Sequence, residues 1–192
     1  MKKGKIFILS GPSGSGKTTL YKKLLASRKL AGRLVKSISM TTRSRRPGEK
    51  HGRDYLFVDE QAFLKMKKAG QFLESQKVFD NFYGTPKKFV EKLLAQGKHV
   101  LLAIDVKGAK VVSRKIPKAY RIFIKAPSWN DLKQRLQGRG SEHKDSVQLR
   151  LKTARRELKE AKNYDRVIVN DRLTHAFKEL EAVVLAQIHG RD

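Results

Sequence analysis

Short apolar runs alternate with stretches in which leucine or valine returns every three or four positions, and this rhythm occupies most of the chain. Lys5 to Ser10 predicts a buried strand, and Leu20, Leu24 and Leu25 predict the helix after it. His99 to Ile104, Tyr120 to Ile124 and Val167 to Val169 predict three more strands. Between and after them the spacing predicts a helix around Phe89 to Ala95 that stops at Gly97, another beyond Asp105, and a last one over residues 173–188. Ser128 and Asp131 form a capping-box pattern that opens a helix through Leu132 and Leu136. Arg139-Gly140 breaks that helix, and a long basic helix follows from about Asp145 to Lys162. Strands alternating with helices predict an α/β fold, a parallel sheet with helices on both faces.

One region breaks the rhythm. Leu34 to Met40 alternates like a strand, Tyr55 to Val58 is strand-like, and Asp59 is placed to cap a helix carrying Phe63, Leu64 and Met66 up to Gly70. Phe72 to Phe79 is a third extended piece, ending at Asp80 to Pro86. Three short strands without long crossover helices predict an inserted β-rich lobe and not an extension of the parallel sheet.

The 192 residues suit one domain with inserted subregions, and no apolar run approaches the length of a membrane span. The first strand begins almost at Met1, which leaves no room for a cleavable leader, and the absence of cysteine points to a reducing cytoplasm. With no thiol, disulfides, thiolate metal sites and thiol catalysis are excluded. A formal charge of +26, from 44 basic and 18 acidic residues, calls for polyanionic partners. The excess is spread along the whole chain, as a lysine-rich solvated surface would be. It permits nonspecific nucleic-acid binding but does not make that the expected function.

Chemistry enters at Gly11-Pro12-Ser13-Gly14-Ser15-Gly16-Lys17-Thr18, which fits the phosphate-binding pattern G-x-x-x-x-G-K-[ST]. A strand precedes it and a helix follows, the context the pattern needs. The glycines let successive N–H groups turn toward phosphate oxygens, and the helix N-terminus adds its positive end. Lys17 reaches the β- and γ-phosphates of a nucleoside triphosphate, and the Thr18 hydroxyl can hold Mg²⁺. Arg43 and Arg46 lie three apart beside Tyr55 and Tyr83, a set of planar forks and neutral donors suited to a second phosphate.

The ordered set Gly11…Lys17-Thr18, Thr41-Thr42-Arg43…Arg46-Pro47-Gly48-Glu49, Asp54-Tyr55, Phe72-Leu73-Glu74, Tyr83-Gly84-Thr85, Ile104-Asp105, Arg135…Arg139-Gly140, Arg150-Leu151 and Val167 to Asp171 resembles the guanylate kinase family from end to end. The resemblance implies a P-loop NTPase-type core (residues 1–35, 87–134 and 161–192), a GMP-binding lobe (about 36–86) and a helical lid (about 135–160). The implied reaction is ATP + GMP giving ADP + GDP, with Mg²⁺, in a cytoplasmic monomer or dimer. ATP would sit on Gly11 to Thr19, with Arg135, Arg139 and Asn170. GMP would sit among Ser39, Arg43, Arg46, Tyr55, Glu74, Tyr83, Thr85, Asp105 and Arg150. Lys17, Arg43, Arg135, Arg139 and Arg150 would be catalytic, with Arg155 a turn and a half beyond Arg150, and Thr18 would be the metal ligand.

Guanine offers N1–H and N2–H₂ donors, so a carboxylate at Glu74 or Asp105 suits its reading. Asp105, ending an apolar strand, equally suits indirect Mg²⁺ binding, and the sequence leaves both roles open. Ala103 stands where the family usually has an acid, and Phe82 replaces the first of two tyrosines. A noncatalytic scaffold and a sugar-phosphate kinase are the competing readings, the first disfavoured by the intact loop and arginines, the second not requiring Glu74.

Overall fold

The computed structural model describes residues 3–78, 80–137 and 144–190. β1 (Ile6–Ser10), β2 (Leu34–Lys36), β7 (His99–Ala103), β8 (Tyr120–Lys125) and β9 (Arg166–Val169) form one parallel sheet in the order β2-β7-β1-β8-β9. The central strands read as unbroken apolar runs because both faces are covered. Phe7 and Leu9 point to one layer, where α1 (Lys17–Leu25) contributes Leu20 and Leu24, and α7 (Leu173–His189) contributes Ala176, Leu180 and Val184. Ile6 and Ile8 point to the other, against Val90 and Leu94 of α3 (Lys87–Ala95) and Ala109 and Val112 of α4 (Val106–Lys115). The α/β class and the helices on both faces agree with the sequence.

A smaller sheet, in the order β4-β3-β6-β5, is built from β3 (Met40–Thr41), β4 (Leu56–Phe57), β5 (Phe72–Val78) and β6 (Asn81–Pro86). α2 (Glu60–Lys68), capped by the Asp59 carboxylate on the Ala62 N–H at 2.7 Å, closes one side of it. From α2, Phe63 stacks on Phe72 and Phe82 with centroids 4.6 and 5.4 Å apart.

The structure corrects the sequence reading of this region twice. The single strand expected over 34–40 is two: β2 stays in the parallel sheet, the Ser37 N–H still bonds to the Leu101 carbonyl at 2.9 Å, and the chain then leaves to form β3. The stretch after residue 80, for which the sequence predicts no strand, is β6, the antiparallel partner of β5. Its asparagine, glycine and proline carry little strand propensity, and pairing between β3 and β5 overrides them.

α5 (Trp129–Gln137) opens as its capping box requires, the Asp131 N–H donating to Ser128 Oγ at 3.1 Å. α6 (Lys144–Lys159) ends three residues before the expected Lys162 and tightens into a 3₁₀ turn over Glu160–Asn163. α5 and α6 meet along an apolar seam of Leu132, Leu136, Leu151 and Ala154, flanked by Trp129, Val147 and Leu158.

Candidate active site

Three glycines shape the loop after β1. Gly14 and Gly16 have φ near 85°, and Gly11 has φ 146°. A Cβ on Gly11 would stand 2.1 Å from the Ile124 carbonyl oxygen, and one on Gly16 would stand 2.1 Å from Asn170 Nδ2. Gly11→Ala is therefore expected to cost about 3 kcal/mol or more, since strained backbone and overlap with a fixed strand add. Urea unfolding would check it, and an unchanged midpoint would contradict the packing described here.

The Lys17 ammonium donates to the carbonyls of Gly11 and Ile104, both at 3.2 Å. Burial lowers its pKa, opposed by the charges of Glu157 and Asp105. Ser15 Oγ is buried without a partner, a hydroxyl that a phosphate oxygen would satisfy. Thr18 and Thr19 lie exposed at the start of α1. Asn170 Nδ2 donates to the Ser15 carbonyl at 2.9 Å, and Arg135 donates to the Asn170 carbonyl at 3.1 Å. Gly14, Gly16, Thr19, Arg135 and Asn170 thus line one cleft of about 460 Å³. Asn170, expected on the ATP side, lines this cleft and also braces the loop.

A second set gathers in and beside the small sheet. Arg43 donates to both carboxylate oxygens of Glu49, at 2.8 and 2.9 Å, and its guanidinium lies 5.6 Å from the Tyr55 ring centre. Tyr55 and Tyr83 meet edge to face at 6.0 Å. Burial opposes the charge on Arg43, but the hydrogen bonds it donates to Glu49 outweigh that and its pKa is raised. Arg46 is exposed, with its backbone N–H on Glu49 at 2.9 Å.

Glu74 is the buried carboxylate of this region, 4% exposed, accepting from Thr85 Oγ1 at 2.6 Å. Burial pushes its pKa up to about 7 despite that hydrogen bond, and the charge of Asp105 adds to the rise. Asp105 caps α4 through the Gly108 N–H at 2.6 Å. A Cβ on Gly108 would lie 2.8 Å from Glu74 Oε2 and 3.1 Å from Asp105 Oδ1, so both carboxylates approach the same bare backbone. Ser39 is buried where β3 begins.

Sequence reasoning missed three side chains. Glu49 belongs to the stretch it singled out, but only the structure shows it orienting Arg43. Lys36 lies 5.4 and 5.6 Å from the Tyr21 and Tyr55 rings and donates to the Asp54 carbonyl at 3.1 Å, joining α1 to the small sheet. Glu157, on α6, is pushed up to about 7 by burial, with Lys17 drawing it down and Asp105 raising it. Its spacing of two helical turns from Arg150 was the available signal. Arg155, grouped with the lid arginines by position, instead lies over the Trp129 ring at 4.7 Å. Arg139 lies outside the described residues.

The Lys17–Ile104 contact ties the phosphate loop to the strand end that carries Asp105, and Asp105 leads to Glu74. The phosphate loop is thereby connected to the buried Glu74–Thr85 pair and the neighbouring Arg43–Tyr55–Tyr83 cluster. A glycine-rich loop and its lysine at the carboxyl edge of a parallel sheet, beside an inserted small sheet, are the arrangement of a phosphotransferase of the P-loop nucleotide-kinase class. The guanylate kinase family model matches residues 3–187, and the chain belongs to the guanylate kinase family. Guanylate kinase of Hahella chejuensis is 44% identical over 97% of this chain and 88% of its own length. That of Rickettsia bellii is 42% identical over 99% and 98%. The crystal structure of guanylate kinase from Anaplasma phagocytophilum superimposes with a TM-score of 0.79 at 34% identity, covering 97% of this chain and 87% of that one.

Among the described residues no helix is long and apolar enough to cross a membrane, and no group of three or more His, Asp or Glu side chains is placed to hold a metal. The donors beside the loop are oxygens, with Thr18 at the helix start and Asp105 nearby. This set fits Mg²⁺, which keeps most of its water and needs few protein ligands.

Proposed function

We propose that this chain transfers the γ-phosphoryl group of ATP to GMP, giving ADP and GDP, and so supplies guanine nucleotides in the cytoplasm. Carrying this reading is the buried Glu74–Thr85 pair, set beside the Arg43–Tyr55–Tyr83 cluster and joined through Asp105 to the phosphate loop. Residues 36–86 would hold the acceptor and 135–160 would cover the donor, and the chain would act as a monomer or dimer.

Arg43, released from Glu49, and Arg46 would grip the acceptor phosphate, with the Tyr55 and Tyr83 hydroxyls as neutral donors. The nucleophile is a phosphate oxygen already ionised at neutral pH, so no side chain need remove a proton. Lys17 would leave its two carbonyls for the β- and γ-phosphates. Arg135 and Arg150, together with Arg139, would meet the charge that develops on the transferring group. Mg²⁺, held by the Thr18 hydroxyl, would neutralise the phosphate oxygens. Glu157 would supply the counter-charge that keeps Lys17 protonated in its buried position.

Coupled ADP release with GMP, AMP, CMP and UMP tests the assignment. GMP alone should react efficiently, and equal rates with all four would refute it.

Base reading should also depend on pH. Glu74 has its pKa raised to about 7, so it is mostly protonated below that pH and mostly ionised above it. Guanine needs the ionised acceptor, so guanosine, which lacks a titrating phosphate, should bind about tenfold more weakly at pH 6 than at pH 8. Calorimetric titration checks this, and a flat profile would remove Glu74 as the acceptor.

A further inference from the structure

The α5–α6 seam has two flanks, and the active site uses one. On each helix, residues two apart lie about 200° apart around the axis. Arg135 of α5, and Arg150 and Glu157 of α6, therefore lie on one flank of the buried leucines, and Arg135 and Glu157 are directed to the phosphate loop. Trp129 and Lys133 of α5 and Gln148, Lys152, Arg155 and Arg156 of α6 lie on the other, around a groove of about 440 Å³. That groove shares no lining residue with the cleft beside the phosphate loop.

Its chemistry is specific. Four cations surround it and no carboxylate lines it among the described residues. The chain's single tryptophan forms part of the wall, with the Arg155 guanidinium 4.7 Å from the ring centre. An aromatic face carrying a planar cation presents a second flat surface outward, on which a nucleobase can stack. Lys133, Lys152 and Arg156 then stand around it as phosphate donors. The groove's volume lies in the range of single small-molecule sites and matches one nucleotide, not an extended strand.

We propose that this groove on the back of the α5–α6 pair is a second nucleotide site, taking a free nucleoside phosphate with its base on Arg155 and Trp129 and its phosphates on Lys133, Lys152 and Arg156. A ligand there contacts both helices at once. It therefore fixes α6, and with it Arg150 and Glu157, relative to α5.

Because Trp129 is the only tryptophan, its fluorescence reports on this groove. The intact protein is titrated with ADP, while equilibrium dialysis counts the ADP bound. Two ADP per chain are expected, the second weakening steeply with salt and quenching Trp129. In the double variant Lys152→Glu, Arg156→Glu the second event should weaken at least about tenfold, since two attractive contacts become repulsive. Its kcat and its KM for ATP and GMP should stay at wild-type values. One ADP per chain, or a Trp129 quench that survives unchanged in the variant, would overturn the proposal. So would quenching by a single-stranded oligoadenylate but not by ADP.

Discussion

Lys17→Met is expected to lower kcat by about 10³-fold, the scale set by removing one preorganised charge from developing phosphate oxygens. The argument rests on where the ammonium is held. It spans the Gly11 and Ile104 carbonyls at 3.2 Å, on a loop whose glycines leave it no other course. Methionine keeps the length and loses the charge, so the loop should fold and the loss should fall on kcat more than on KM for GMP. Pre-steady-state ADP formation would separate the two, and a variant within tenfold of wild type would show that Lys17 does not meet the transferring group. The buried ammonium is also a cost to folding, so thermal stability should hold or rise in the same variant.

Glu74→Gln carries the second large effect. The side chain is nearly fully buried, and Thr85 already donates to one of its oxygens at 2.6 Å. Glutamine leaves one acceptor and introduces an NH₂ facing guanine's own donors. Mismatched buried polar groups are what give hydrogen-bonding sites their selectivity. Thus kcat/KM for GMP should fall at least about 10²-fold, while AMP, which offers an acceptor at N1, should lose far less. The ratio of the two specificity constants is the measurement, and an unchanged ratio would move the reading of the base elsewhere, to Asp105 first.

Much of this was legible from spacing. The central strands announce themselves as unbroken apolar runs because helices cover both faces, and the loop after β1 has a pattern fixed by phosphate geometry. The Ser128–Asp131 cap and the Asp59 cap were readable because a helix N-terminus needs a local acceptor. What could not be read was set by long-range pairing. β6 mixes Phe82, Tyr83 and Thr85 with strand-breaking Asn81, Gly84 and Pro86, and its place between β3 and β5 settles it as a strand. The break at 37–39 separates two sheets within one alternating segment, and alternation is blind to which partner a strand finds. Charged residues were legible as types but not as directions. Arg150, Arg155 and Glu157 occupy one basic helix, and the seam of Leu151 and Ala154 decides that Arg155 turns away while the other two do not.

Leu73 is embedded in the core with Val90 and Ala109, whereas Phe72, the residue before it, belongs to the aromatic cluster of the small sheet. Lys115 of α4 also ties the Leu73 carbonyl down at 2.7 Å. Glu74 follows directly, so the residue proposed to read the purine is moored to the core of the parallel sheet. A swing of the small sheet about that mooring would carry Arg43 further than Glu74. On the roles proposed for Glu74 and Arg43, such a swing would alter the reach toward the acceptor phosphate and leave the choice of purine in place.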